Sequence, residues 1–142
     1  MKKEILIDVN KLHKKVKNFI LCAIDEDGYP TAKAVLPAIK RDNVNKIYFV
    51  TNTSSKYVSN VENNSKTSVY FYNSLFYKGC LLRGTMKIVN DLDVKKEFWK
   101  DGYKSAYPNS ELKHKDPDFC VLEFIPFDGR YYSMFKKIDF KF

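Results

Sequence analysis

Residues 47–64, IYFVTNTSSKYVSNVENN, decide how the rest of this sequence is interpreted. The first four residues are β-formers and predict a buried strand. Residues 51–55 follow, and all five have short side chains that form hydrogen bonds. After Lys56, the apolar residues Val58 and Val61 are three positions apart, which predicts the inner face of a short helix. The stretch therefore predicts a strand, a hydroxyl-rich turn and a helix.

A hydroxyl-rich turn between a strand and a helix is suited to binding an anion. Free backbone N–H groups and the positive end of the helix point at the ligand, and Lys56 adds a full charge. The same residues are also typical of an ordinary N-cap, in which Ser54 or Ser55 accepts hydrogen bonds from the first amides of the helix. The local pattern leaves both interpretations open.

The composition predicts one domain, residues 1–142, that is large enough to bury a core without disulfides. Cys22, Cys80 and Cys120 lie in apolar segments without Cys-x-x-Cys spacing, as is typical of free thiols in a reducing cytoplasm. The sequence contains no charged-then-apolar leader and no apolar run near the roughly 20 residues of a membrane span. We therefore expect a cytoplasmic protein with no membrane partner.

The formal net charge of +8 raises the possibility of a nucleic-acid partner. Lysines supply 22 of the 25 basic residues, and they are spread along the chain apart from a group at residues 11–17. Bidentate recognition of bases and phosphates favours arginine. A solvated lysine surface with no nucleic-acid partner is thus expected. The alternative is a non-enzymatic basic β-barrel that binds single strands through its aromatic side chains.

Hydrophobic patterning along the chain predicts a mainly β fold with peripheral helices. Asp8 is expected to cap a first helix whose apolar stripe is Val9, Leu12 and Val16, and acidic residues 91 and 93 mark the start of a later helix. Gly84 is interpreted as a bulge or a point of close backbone approach. Turns are predicted at residues 25–28 and 127–130, and strands at residues 19–24, 31–39, 47–50, 67–72, 80–89, 119–125, 131–134 and 138–142. Counted as six or seven strands in all, these eight segments with few helices predict a closed barrel.

Few residues are candidates for chemistry. His13 and His114 are far apart and have no ligand-like spacing to other donors, so no metal site is predicted. No glycine-rich dinucleotide or P-loop motif occurs. The turn at residues 51–56 is therefore the only credible phosphate site, with Lys33 of the neighbouring strand as its partner. A lone lysine in an apolar strand is otherwise usually a solvent-facing residue.

Several segments resemble the pyridoxamine 5′-phosphate oxidase family of flavoproteins. TNTSSK followed by VENN, at residues 51–56 and 61–64, resembles its phosphate-binding segment, and DEDGYPTAKAVLP at residues 25–37 resembles its hairpin and next strand. Three further segments are similar to the later strands and helix of the short, general-stress-type branch: GTMKIVND, EFWKDGYKSAYP and DPDFCVLEFIP. The resemblance covers residues 19–132.

The resemblance implies an FMN-binding split β-barrel of six to seven strands, assembled as a homodimer with FMN at each end of the interface. It assigns contacts with the FMN phosphate to Lys33, Ser55 and Lys56. It assigns contacts with the flavin ring and ribityl chain to Thr51 and Asn52. Backbone contacts along the ring are assigned to Ala34, Val35 and Leu36. Two positions depart from the longer oxidases, because Ala38 and Tyr57 replace basic residues. Both departures remove positive charge and lower the expected affinity for FMN.

The resemblance further implies a flavin-dependent oxidoreductase whose catalytic residues and substrate are unknown. We do not expect an efficient pyridoxamine 5′-phosphate oxidase, because residues 129–142 lack the histidine of the family's Arg-x-His element. Haem and deazaflavin are alternatives, since relatives of the family use both. Candidate interface aromatics are Phe71, Tyr72, Phe76 and Tyr77. Trp99 and Tyr103 are interpreted either as pocket residues or as core.

Overall fold

The computed structural model describes residues 2–36 and 43–142, with backbone alone at Lys2 and Phe76. Within these residues the chain forms three α-helices and seven strands. The helices are α1 (Lys2–Lys15), α2 (Lys56–Asn63) and α3 (Leu92–Phe98). The strands are β1 (Phe19–Ile24), β2 (Pro30–Val35), β3 (Ile47–Asn52), β4 (Lys66–Asn73), β5 (Lys78–Val89), β6 (Phe119–Ser133) and β7 (Lys136–Lys141). Short 3₁₀ turns are formed by Ser74–Phe76, Asp101–Ala106 and Ser110–Lys115.

The seven strands form one antiparallel sheet in the order β2-β1-β4-β5-β6-β3, with β7 added beside β6. This confirms a mainly β split barrel. The expectation of a closed barrel is wrong, because in the described residues no ladder joins the edge strands β2 and β3. The two edges approach each other through side chains instead. The Lys33 Nζ atom of β2 donates a hydrogen bond of 3.2 Å to Thr51 Oγ1 of β3.

The main core lies inside the curled sheet and is covered at one end by α1. Val9, Leu12 and Val16 are all buried, as their spacing predicts. The predicted cap at Asp8 is wrong, because α1 begins at Lys2 and Asp8 lies within it. Ile5, also buried, extends the apolar stripe by one turn and stabilises the additional residues against the sheet.

The predicted turn at residues 127–130 does not exist, because β6 continues unbroken from Phe119 to Ser133. Its second half pairs with β5 on one side and with β7 on the other. Hydrogen bonds on both edges stabilise an extended backbone despite the turn-forming Asp-Gly pair. Strands predicted separately at residues 119–125 and 131–134 are thus one strand.

Gly84 lies at a bulge in the antiparallel pairing of β5 with β6. The register shifts between Arg83 and Gly84, so Arg83 faces Asp128 while Gly84 faces Pro126. Phe127 is therefore the additional residue of the bulge. A Cβ atom on Gly84 would lie 2.2 Å from the Ile125 carbonyl oxygen. The prediction of a bulge or a close approach is confirmed in both respects.

A second, smaller core packs on the outer side of β3 and β6, beneath α3 and the 3₁₀ turns. Phe98 and Phe119 are its most buried rings, and Trp99 and Tyr103 pack against it. The Trp99 and Phe119 ring centroids are 5.1 Å apart in an edge-to-face arrangement. Among the described residues, no helix has the length and apolar character that crossing a membrane requires.

Candidate functional site

The turn between β3 and α2 has the capped geometry that its sequence predicts. Ser55 is the N-cap of α2, and its Oγ accepts a hydrogen bond of 3.4 Å from the Val58 amide. The Ser55 amide donates to the Asn52 carbonyl at 3.0 Å, which closes the turn. Val58 and Val61 face the main core. The capping interpretation is correct, because Ser55 accepts from the Val58 amide, one of the four amides at the start of α2 that have no partner within the helix.

A cleft of about 490 Å³ lies between the β1–β2 hairpin and the N-terminal half of α2. It brings together three of the residues assigned to a phosphate from sequence, namely Lys33, Ser55 and Lys56. The other lining residues were not singled out from the sequence as ligand contacts: Asp25, Glu26, Asp27, Thr31, Ala32, Tyr57, Ser59 and Asn60. The cleft therefore combines the ammonium groups of Lys33 and Lys56 with a hairpin tip, residues 25–27, that carries three carboxylates.

Thr51 connects the cleft to the second core. Its side chain is buried and accepts the hydrogen bond from Lys33. Its carbonyl oxygen accepts a hydrogen bond of 2.8 Å from the Tyr107 hydroxyl. Burial raises the pKa of Tyr107, so the phenol remains a proton donor at neutral pH. Lys33 is thus held by an anchored threonine rather than extended into solvent.

Asn52 is hydrogen bonded to the segment that precedes β6. Its Nδ2 atom donates to the Ala106 carbonyl at 3.1 Å and to Asp118 Oδ2 at 2.8 Å. These bonds direct the amide nitrogen towards the 106–118 segment. A contact between Asn52 and a flavin stays a prediction, and the structure gives this side chain a positioning role.

Asp118 organises the turn, and the sequence did not single it out. Its Oδ1 accepts from the Ser54 amide at 2.8 Å, and its carbonyl oxygen accepts from the Thr53 amide at 2.9 Å. Burial by itself raises the pKa of this carboxyl, but the hydrogen bonds from Asn52 and Ser54 outweigh it and lower the pKa. An acid directly before a strand is common, so only its contacts with a turn 64 residues away reveal its role.

The three residues assigned to backbone contacts with the ring lie at the open edge of the sheet. Ala34 is exposed and Val35 packs partly against the main core. Leu36, directly after β2, is 66% exposed. Ala38, which departs from the family pattern, lies outside the described residues. Among residues 2–36 and 43–142, this edge is thus accessible to a ligand or to a second chain.

Tyr57, the other departure, is buried beside the cleft. Its hydroxyl and Thr67 Oγ1 are hydrogen bonded at 2.8 Å, and Thr67 Oγ1 donates in turn to the Cys22 carbonyl. Burial raises the pKa of Tyr57 to about 12. The side chain therefore contributes a neutral wall where the longer oxidases have a cation.

The other candidate side chains lie away from the cleft. His13 is buried between the rings of Phe19 and Phe71, and His114 lies in the 3₁₀ turn Ser110–Lys115. Trp99 and Tyr103 belong to the second core, which confirms the core interpretation. Burial raises the pKa of the Cys80 thiol and raises that of Cys120 to about 11, as expected for unreactive thiols.

The fold buries one of the four aromatic residues expected at an interface and leaves at least one of the others exposed. Phe71 is fully buried in the main core, so its assignment to an interface is wrong. It points inward because alternate residues of β4 face the core. Tyr72 is half-buried and Tyr77 is 75% exposed, so both are available to a partner. The side chain of Phe76 lies outside the described residues.

Comparisons with known proteins agree with this fold. The family model described as pyridoxamine 5′-phosphate oxidase matches residues 8–133. A solved structure from Clostridium acetobutylicum, a protein related to general stress protein 26 of B. subtilis, is 34% identical with a TM-score of 0.85. The alignment covers 99% of this chain and 96% of that one. Among curated proteins, none matches the chain.

Two more distant structures share the fold alone. A pyridoxamine 5′-phosphate oxidase-related, FMN-binding protein from Nostoc punctiforme is 13% identical with a TM-score of 0.70, covering 94% of this chain and 84% of its own. A heme-binding protein from Mycobacterium smegmatis is 11% identical with a TM-score of 0.71. That alignment covers 94% of this chain and 56% of the Mycobacterium chain. The family match over most of the chain and the Clostridium relative identify this chain as a member of the pyridoxamine 5′-phosphate oxidase family.

Proposed function

We propose that this chain binds FMN in the cleft between the β1–β2 hairpin and α2, and that it is a flavin-dependent oxidoreductase. The observation that carries the proposal is the convergence of Lys33, Ser55 and Lys56 on one cleft. Two ammonium groups, a hydroxyl and the first amides of a helix form a donor set that suits a phosphate monoester. The FMN-binding protein from Nostoc supports the choice of cofactor within this fold.

The residues around the cleft would bind and orient the cofactor. Lys33 is held towards Thr51, so its charge lies between β2 and the end of β3. Thr51, Ala34 and the exposed Leu36 lie near the open edge, where they would contact the ring system. FMN supplies the electron-transfer chemistry when bound, and the protein's task is to position it and to exclude water from one face.

Two alternative ligands receive less support. Neither histidine of the chain lines the cleft, and His13 is enclosed by aromatic rings, so the donor set does not favour haem iron. Binding of single-stranded nucleic acid requires exposed aromatic platforms. Tyr29, Tyr77, Phe127 and Phe135 are exposed, but none of them lines the cleft. Six of the eleven phenylalanines have fully buried side chains and are not available as such platforms: Phe19, Phe49, Phe71, Phe98, Phe119 and Phe124.

A homodimer with FMN at each end of the interface completes the proposal. One side of the cofactor would lie against the β2 edge, where Leu36 is 66% exposed. A sheet this small leaves that side open, so a second chain is needed to cover the ring. The localisation proposed for the protein remains the cytoplasm, in keeping with three free cysteines, two of them buried.

The direct test is FMN titration of purified protein, followed by flavin fluorescence and visible absorption. Charge-assisted bonds contribute about 1.5–3 kcal/mol each, so Lys56→Ala and Lys33→Ala should each raise the dissociation constant about tenfold or more. Lys11→Ala is the control, because it removes an equal charge from the exposed face of α1. A dissociation constant for FMN that is the same in the Lys56→Ala protein as in the wild type would contradict the proposed phosphate position.

A further inference from the structure

The tip of the β1–β2 hairpin places Asp25, Glu26 and Asp27 on the cleft that Lys33 and Lys56 also line. We propose that Glu26 and Asp27 make this cleft selective for a flavin mononucleotide over a flavin dinucleotide. The inference rests on the proposed function, which assigns a phosphate to the two lysines. It adds a specificity role for two residues that have no other evident task in the fold.

The direction of β2 supplies the geometric argument. β2 starts at Pro30, next to the hairpin tip, and Lys33 follows three residues later, roughly 10 Å along the strand. The proposed ring contacts, residues 34–36, lie beyond Lys33 in the opposite direction. A ligand with its ring beside Leu36 and its phosphate at Lys33 therefore directs its phosphate end towards the tip. A dinucleotide continues from that phosphate into the space beside the carboxylates.

The distribution of charge supplies the second argument. The terminal phosphate of a mononucleotide carries a charge of about −1.5 to −2 at neutral pH. In the proposed position this whole charge lies beside Lys33 and Lys56. In a dinucleotide each of the two linked phosphates carries a single negative charge. The first is attracted less strongly by Lys33 and Lys56, and the second is repelled by Glu26 and Asp27. Both effects favour the mononucleotide.

Asp25 has a different task from its two neighbours. Its Oδ1 atom accepts hydrogen bonds from the amides of Asp27, at 3.0 Å, and Tyr29, at 2.8 Å. Gly28 completes the turn with a φ of +83°. The carboxylate of Asp25 thus shapes the hairpin, whereas the side chains of Glu26 and Asp27 are exposed. Neutralising the latter two leaves the turn intact.

The experiment measures dissociation constants of FMN and FAD for the full chain at low and at physiological ionic strength. The variant is Glu26→Gln with Asp27→Asn. The control is Glu4→Gln with Asp8→Asn, which removes the same two charges from the exposed face of α1. We expect the wild type to prefer FMN, and the tip variant to reduce the FAD-to-FMN ratio of dissociation constants about fivefold or more, because nearby like charges are removed. Added salt should reduce the preference of the wild type.

Each result has a distinct meaning. A reduced ratio in the tip variant, with the control unchanged, supports the inference. An unchanged ratio in the tip variant, an equal change in the control, or a wild type without preference overturns it while leaving FMN binding in place. Failure of the wild type to bind either flavin overturns the proposed function, and the inference with it.

Discussion

At the residue scale, Gly84 is the glycine with the least space for an added side chain among the five in the chain. A Cβ atom there would lie 2.2 Å from the Ile125 carbonyl oxygen and 2.7 Å from the Pro126 Cα. Both are backbone atoms and cannot rotate away, so Gly84→Ala should destabilise the fold by about 1–3 kcal/mol or more. Gly102→Ala is the control, because a Cβ atom added at Gly102 would meet no atom within 4 Å. Urea unfolding of the two variants checks this, and equal midpoints would contradict it.

Single residues were predictable from the sequence where their own chemistry is unusual. Gly84 was identified because a glycine within a long strand needs a reason, and Lys33 because it matches a charged position of the family. Asp118 was not identified, since its role depends on contacts with Asn52 and Ser54 that only the fold creates. Tyr57 was identified as a lost charge, but its hydrogen bond with Thr67 required the structure.

At the element scale, the 106–118 segment holds the turn that begins α2. Asp118 accepts hydrogen bonds from Asn52 and Ser54, and Pro117 accepts one from the Thr53 hydroxyl at 2.9 Å. Asp118→Ala should therefore lower the free energy of unfolding by about 1–2 kcal/mol and weaken FMN binding in the same protein. Glu111→Ala, an exposed acid in the same segment, is the control. Unchanged FMN binding and stability in Asp118→Ala would show that the turn keeps its shape without the Asp118 carboxylate.

The same carboxylate predicts a pH dependence with a definite sign. Hydrogen bonds lower the pKa of Asp118 in the folded state, so the unfolded chain binds the proton more tightly. Its contribution to stability is complete above about pH 4 and is lost as the pH falls through the lowered pKa. The difference in unfolding free energy between wild type and Asp118→Asn should then shrink below about pH 4. A difference that grows on acidification would contradict this assignment.

Elements were predictable where local pattern and tertiary packing agree. The β1 strand, β3, β5 and the start of α3 follow their sequence signals closely. The strand predicted over residues 31–39 is shorter, because β2 ends at Val35, and residues 37–39 lie outside the described residues. β6 does not, because pairing on both edges overrides the turn signal around Gly129. Barrel closure was also wrong, since strand count alone does not determine whether β2 and β3 pair. The sequence pattern located three residues of the cleft, Lys33, Ser55 and Lys56, but not the hairpin tip that also lines it.

At the scale of the whole molecule, the exposed apolar surface is consistent with assembly into a dimer. Tyr77, Met134 and Phe135 are 75%, 61% and 96% exposed, and the Met134 amide donates to the Tyr77 carbonyl, which places these residues together. Light scattering at micromolar concentration should give about twice the 16.7 kDa of one chain. Tyr77→Ser should shift the mass towards the monomer, whereas Leu92→Ser, on α3, should not. A monomeric FMN-bound wild type would refute the dimer.

The catalytic prediction also belongs to the whole molecule, because it concerns residues 129–142 and their neighbours. Arg83, Arg130 and Lys141 line a surface cavity of about 620 Å³, but carboxylates accompany them. Arg130 donates to both carboxylate oxygens of Asp139, at 2.5 and 3.0 Å, and Arg83 pairs with Asp128 in the same way. A substrate phosphate would have to displace these carboxylates.

Residues 129–142 contain no histidine that could assist such a phosphate. Interactions that are poorly formed in the reacting complex lower the rate directly. We therefore expect oxygen consumption with pyridoxamine 5′-phosphate or pyridoxine 5′-phosphate to remain far below about 10 per second, the median enzyme turnover. An authentic pyridoxamine 5′-phosphate oxidase in the same assay is the positive control. Turnover of the FMN-loaded protein approaching that median would restore the family's namesake reaction to this chain.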